Sequence, residues 1–230
     1  MATESQEIAE VVSSWLHYKS LTGLRDLFNE ASMAAPIAEY LAVSYGKEVR
    51  SELVHPVLAK KKGKGRPAQI DFVHEKRSVG SWHTAFECKF QTSDYYKIVW
   101  DICRLVVLSQ AENIGRPKRK LVYAAKLDAK NDLLGNSFRP GDGPLQGYFD
   151  GILPRSEEEQ GTSATFTLTD LHDKKLKAFR MFARDHQVGL PSRLKIELSG
   201  YSRVGGFVCC VWTIQAAQGS VLKSHEELVH

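Results

Sequence analysis

The chain has 230 residues, 43% of them hydrophobic and 25% charged, with a formal net charge of +4. That is long enough to bury a substantial core as a single domain, and the composition is that of a globular protein rather than a disordered or collagenous one. No apolar run approaches the roughly 18–20 residues of a membrane span, and the opening MATESQEIAE has neither a basic start nor an apolar signal core, so the expectation is a cytoplasmic protein off the membrane.

Residues 5–29 read as helix, with Ile8, Val11, Val12, Trp15 and Leu16 at helical spacing and Gly23 separating a second short helix. APIAEYLAVSYG, residues 35–46, reads as a helix with Pro36 in its first turn and Gly46 at its end. EVRSELVHPVLA reads as a strand, with Pro56 marking a bend or an edge. The basic loop KKKGKGR follows, with Lys60, Lys61, Lys62, Lys64 and Arg66. Such a tract suits a phosphate backbone, or else it is a solvated loop. PAQIDFVHE and WHTAFECKF read as two strands joined by a turn, the first with Ile70 and Phe72 on one face and Gln69, Asp71 and Val73 on the other.

TSDYYKIVWDICRLVVLSQA is the strongest helix, capped by Thr92 or Ser93, with a stripe of Tyr95, Ile98, Ile102, Leu105 and Val106. Lys97, Asp101 and Arg104 share its other side, as an intrahelical ion network or as part of a polar site. A second basic cluster, RPKRK, precedes the strand LVYAAKL. Residues 128–163 are rich in Gly, Pro and acids and read mostly as loop. TFTLT reads as a strand, DLHDKKLKAFRMFARDH as a helix capped by Thr169 or Asp170, and SRLKIELSGYS and FVCCVWTIQAA as a terminal strand pair. The four cysteines show no paired metal spacing and read as reduced, buried thiols, with Cys209 and Cys210 on opposite faces of their strand. Trp82, Trp100 and Trp212 read as core, with base stacking as the alternative. His55, His74 and His83 have no spacing that suggests zinc.

Alternation within WHTAFECKF sends Phe86, Cys88 and Phe90 to one face and Ala85, Glu87 and Lys89 to the other. An acid and a base in an otherwise apolar strand are costly unless paired or bound to a metal. Asp71 lies 16 residues before Glu87 on the preceding strand. If the two strands pair, two carboxylates and a lysine share one small site. Carboxylate oxygens suit hard cations such as Mg²⁺. The Cys88 carbonyl, between the two side chains, is a further candidate ligand. Each residue also has a structural reading: Glu87 or Asp71 paired with Lys89 as a plain ion pair, and Glu39 as a helix-surface acid.

QID at 69–71 followed by FECK at 86–89, within a helix–three strands–helix–strand order over residues 36–127, resembles the signature and core of the PD-(D/E)XK nuclease superfamily. The resemblance covers under half the chain, and Ile70 stands where the family usually has proline. It implies an α/β, restriction-endonuclease-like core, with a mixed central sheet flanked by helices. N-terminal helices would occupy residues 1–35, and a C-terminal α+β extension residues 128–230, all in one domain. It further implies a Mg²⁺-dependent endonuclease, with Mn²⁺ as a substitute, acting on phosphodiester bonds in DNA rather than RNA. Asp71 and Glu87 would be the metal-binding acids, with the Cys88 carbonyl as a further ligand. Lys89 would be the catalytic lysine and Glu39 the candidate helix acid, with Glu30 and Glu48 behind it; by their position, the basic loop would clamp the nucleic-acid backbone and Gln91 would touch substrate or simply end its strand. A homodimer is expected by family analogy, in a setting of restriction, defence or repair. The alternatives are a catalytically inactive nucleic-acid-binding or scaffold protein on the same fold, and a different Mg²⁺-dependent phosphoryl-transfer enzyme. No Walker-type glycine loop is present, which argues against a P-loop NTPase.

Overall fold

The two central strands have alternating apolar side chains that bury both faces. Leu121, Tyr123 and Ala125 point into one core and Val122 and Ala124 into another, and Cys210, Trp212 and Ile214 alternate in the same way with Phe207, Cys209 and Val211. A strand apolar on both sides needs helices on both sides. The computed structural model, which describes residues 2–23, 29–58, 67–76, 80–90, 95–127 and 152–228, supplies them.

The elements run α1 (Glu4–Leu21), α2 (Glu30–Tyr45), β1 (Val49–Val54), β2 (Gln69–Glu75), β3 (Trp82–Phe90), α3 (Tyr95–Val107), β4 (Lys118–Lys126), β5 (Ser163–Thr167), α4 (Asp173–His186), β6 (Leu190–Pro191), β7 (Arg193–Val204), β8 (Phe207–Ala216) and β9 (Leu222–Lys223). Seven strands form one mixed sheet in the order β1-β2-β3-β4-β8-β7-β5, and β6 pairs with β9 in a small second sheet. Among the described strand pairs only β3 and β4 run parallel, and α3 is the crossover that parallel pairing requires. The protein is therefore α/β. The C-terminal residues do not sit beside the sheet as an addition, because β8, β7 and β5 extend it directly from β4. Among the described residues no helix is long and apolar enough to cross a membrane, and all four cysteines are free and buried.

Helices α1 and α2 cover one face, through Ile8, Val12, Leu16, Met33, Ile37 and Leu41 against Phe72, Phe86 and Phe207. Helices α3 and α4 cover the other, through Ile98, Ile102, Phe179 and Phe182 around Trp212. The start of α1 lies directly on β7, where a Cβ on Gly200 would meet the Ser5 carbonyl oxygen at 2.2 Å. Only glycine fits there, and the register shift between Leu198 and Gly200 lets the strand bend beneath the helix. Lys120, 4% exposed, pairs with Glu4, and Tyr45 donates to the same carboxylate at 2.7 Å, so one charge pair joins α1, α2 and β4.

Several boundaries differ from the sequence reading. Helix α2 begins at Glu30, not at Pro36. Asn29 accepts from the Ser32 N–H at 3.0 Å in a capping box, and Pro36 lies within the helix. Helix α4 begins at Asp173 with His172 as its cap, because Leu168–Asp170 forms a separate 3-10 turn. The Thr92 and Ser93 caps and the short helix after Gly23 lie outside the described residues. Trp82 and Trp212 are buried in the core and Trp100 is partly buried against it.

His55 closes the turn after β1. Its Nδ1 accepts from the Val57 and Leu58 N–H groups at 3.1 Å each, so Nε2 carries the proton and donates to the Arg104 carbonyl oxygen at 2.9 Å. Burial disfavours the imidazolium and lowers its pKa from 6.5 to about 4. The folded state thus binds this proton less readily than the unfolded chain. The contribution to stability is complete above about pH 6.5 and fades as pH falls toward 4, a change of about 3 kcal/mol. His55→Gln should therefore be less stable than the parent at pH 7 and lose less stability between pH 6.5 and 4. Parallel denaturation midpoints for the two proteins across that range would remove His55 from the acid response.

Candidate functional site

The β2–β3 ladder runs from Glu75↔Trp82 to Phe72↔Phe86. Beyond Phe72 the Cys88 N–H donates to the Asp71 carboxylate at 2.7 Å, so a side chain takes the place of a backbone partner. On the other side of β2, Ser51↔Phe72 and Leu53↔Ile70 bracket an unpaired Glu52 and Asp71, and Glu52 has φ 54°, uncommon for a residue with a side chain. The alternation of β2 breaks here. Ile70 and Val73 both join the α3–α4 core while Phe72 joins the other. The sequence expectation of Ile70 and Phe72 on one face is thus corrected, since the irregularity at Asp71 resets the strand's two-residue period.

Asp71 lines a cleft of ≈ 430 Å³ between α2 and β1–β3, whose other walls include Ala34, Ala38, Ser51 and Phe72. A strand residue sends its N–H and C=O to the same side. The Cys88 carbonyl therefore faces the same opening as its N–H, beside the Asp71 carboxylate.

Glu87 and Lys89 project from β3 toward α3, where they meet Asp101 and Arg104. Glu87 is 2% exposed and Asp101 is fully buried. Lys89 Nζ lies 2.8 Å from Glu30 Oε1 and 3.3 Å from Asp101 Oδ2. Arg104 pairs closely with Asp101 Oδ1, while its other terminal nitrogen is 3.7 Å from Glu87 Oε1, too far for a hydrogen bond. Glu87 Oε1 and Asp101 Oδ2 are buried without a hydrogen bond. Four carboxylates (Glu30, Asp71, Glu87, Asp101) thus share one site with two cations (Lys89, Arg104).

The electrostatics follow from burial. Removal from water pushes the Glu87 carboxyl well above its usual range; Arg104 opposes this, and the Asp101 and Asp71 charges add to it. Burial also raises Asp71, partly offset by the Cys88 N–H and by Arg104 and Lys89. Asp101 is raised by burial against the pull of Arg104 and Lys89. Burial works against the Lys89 ammonium, but Asp101 and Glu30 outweigh it and hold its pKa above the ordinary value.

Glu39 is exposed. It lies nine residues after Glu30, about two and a half helical turns, and so faces the opposite side of α2. The acid of that helix that reaches the lysine is Glu30. Glu48 lies 3.6 Å from His74, away from the lysine. Gln91 and Lys60, Lys61, Lys62, Lys64 and Arg66 lie outside the described residues. Lys97 is exposed and Asp101 is buried, so the polar row on α3 divides between solvent and the site. Sequence reasoning left Asp101 and Arg104 undecided because helical periodicity does not show what the polar side of a helix faces. It ranks Glu30 behind Glu39 because Pro36 marks the start of the helix; the Asn29–Ser32 capping pair is the signal that would have reversed the order.

Among the described residues no three His, Cys, Asp or Glu side chains are gathered as a metal-binding set. Mg²⁺ needs fewer, since it is commonly held by one or two carboxylates and keeps several waters. Asp71, Glu87 with its unbonded buried oxygen, and the Cys88 carbonyl fit that requirement. Comparison with family models, curated proteins and solved structures finds no match to this chain.

Asp101→Ala leaves both Lys89 and Arg104 short of a buried partner and should destabilise the protein by about 3–5 kcal/mol. Glu39→Ala should stay within about 0.5 kcal/mol of the parent. Urea denaturation of both variants tests this; equal stabilities would mean that the buried network does not hold α3 to the sheet.

Proposed function

We propose that this protein is a metal-dependent nuclease of the restriction-endonuclease-like kind, hydrolysing phosphodiester bonds in DNA. The observation that carries the reading is the opening of the β2–β3 ladder, where the Asp71 carboxylate and the Cys88 main chain line a cleft, while Glu87 and Lys89, on either side of Cys88, join the buried charge cluster with Asp101 and Arg104. Asp71, Glu87 and the Cys88 carbonyl would hold Mg²⁺ or Mn²⁺. When bound, that ion polarises a phosphate oxygen and lowers the pKa of a coordinated water.

The chain's own groups have distinct tasks. The Cys88 N–H fixes the direction of the Asp71 carboxylate. Glu30 and Asp101 hold the Lys89 ammonium from two sides, which aims a donor at the charge that develops on the phosphate. The order α2–β1–β2–β3–α3–β4 supports the family reading, and the surplus of acids over cations supports a bound divalent ion. Lys60, Lys61, Lys62, Lys64 and Arg66 would track the DNA backbone, and a homodimer would let two such sites cut both strands.

One observation favours the other reading, an inactive nucleic-acid-binding protein on the same frame. The site's cations are paired internally, Lys89 with Glu30 and Asp101, and Arg104 with Asp101.

Cleavage of plasmid and single-stranded DNA with Mg²⁺, with Mn²⁺ and with EDTA separates the two. Active nuclease should require the metal. Lys89→Ala should lower the rate at least about a hundredfold while DNA affinity stays nearly unchanged, because many dispersed phosphate contacts set affinity. DNA binding without cleavage under any metal would support the inactive protein instead.

A further inference from the structure

Arg104 is held in an unusual way. Its guanidinium is anchored to Asp101, which is fully buried, and that contact does not involve Glu87. Toward Glu87 it makes only a 3.7 Å approach, and the Glu87 oxygen it faces has no hydrogen bond. An arginine committed to a carboxylate forms short, often paired N–H···O bonds. Here one carboxylate is gripped and the other is only neutralised across a gap.

The backbone beneath is fixed. The Arg104 carbonyl accepts from His55, which the turn after β1 holds in place. Helix α3 therefore has little freedom to shift, and any response of Arg104 falls to its side chain. That side chain is 28% exposed, so it has a route toward solvent. With every carboxyl ionised the cluster would carry a surplus of two negative charges, four carboxylates against two cations, and burial meets part of it by favouring the protonated form of Glu87. One divalent cation would neutralise that surplus.

We infer that Arg104 is the resident cation of this site and that a divalent metal ion and the Arg104 guanidinium compete for Glu87. In the metal-free protein Arg104 supplies the charge that makes burial of Glu87 tolerable. When a hard cation takes the free Glu87 oxygen, the guanidinium withdraws along its Asp101 anchor. Asp101 is then a positioning residue: it keeps Arg104 within reach without letting it seal the site. The inference rests on the metal-dependent reading of Asp71 and Glu87, and it adds a built-in competitor that sets how tightly the ion is held.

The test is Mn²⁺ binding to the full chain by titration calorimetry, at fixed pH and without DNA. Arg104→Gln should bind Mn²⁺ at least about tenfold more tightly than the parent, because removing a fixed positive charge beside a divalent ion removes a repulsion. Arg104→Lys, which keeps the charge, should stay close to the parent. Glu87→Gln should bind weakly in either background. Parent binding that does not tighten in Arg104→Gln overturns the competition and leaves the metal reading standing. No binding by the parent, Arg104→Gln or Arg104→Lys overturns both. Binding by Arg104→Gln alone supports the competition in its strongest form. Should Arg104→Gln fail to fold, the parent still decides. The Arg104 Nε–H resonance, followed by NMR as Mg²⁺ is added, should move and exchange faster with water as the ion binds. A resonance unmoved at Mg²⁺ saturation overturns the inference.

Discussion

Burial of Glu87 and Asp101 is the constraint around which the rest of the site is arranged. Two carboxylates at 2% and 0% exposure persist only if cations accompany them. Arg104 comes from the same helix as Asp101, one turn on, and Lys89 from the same strand as Glu87, two residues on. The cluster is therefore built from one helix and one strand packed face to face. At this point α3 meets β3 through charge, where the rest of its packing is apolar.

Sheet topology decides where this charge lies. Strands β3 and β4 stay paired through Phe90↔Ala124, while β2 and β3 part after Phe72↔Phe86. The sheet thus opens on one side of β3 and stays closed on the other. Asp71 stands at the opening, partnered to Cys88 by its side chain, with Glu52 in a left-handed conformation opposite. A break in pairing next to a cluster of buried charge is a place where a ligand can approach main-chain groups that the ladder would otherwise use.

The extent to which the sequence is legible follows from which forces act locally. β3 and the strand over Phe207–Ala216 stand out because alternation and β-branched or aromatic content agree. Glu87 and Lys89 stand out because two charges in an apolar strand contradict their surroundings, although the structure pairs each with other residues. Glu30 ranks only second in the sequence because a proline marks helix starts more loudly than an asparagine cap does, and here the cap wins. The split faces of Ile70 and Phe72 are hidden because the irregularity at Asp71 is set by Glu52, on a neighbouring strand and distant in sequence. Arg104 is hidden because its role depends on what α3 faces, and that is a tertiary fact.

The seating of α1 has a consequence for how the chain comes to be folded. The apolar side of this helix rests on β7 and β8, nearly 200 residues later in the chain, with Ser5 against Gly200 and Ser13 bonded to Ser202 at 2.8 Å. Contacts so distant in sequence form slowly, since a long loop must close before they repay its entropy. During translation Ile8, Val12 and Leu16 lack most of their strand contacts until β7 and β8 leave the ribosome, since before then they can meet only α2 and the edge of their packing on β4. The growing polypeptide must carry a partly uncovered apolar helix while these intervening residues are made, a state that favours chaperone capture and makes fragments ending before β7 prone to aggregate.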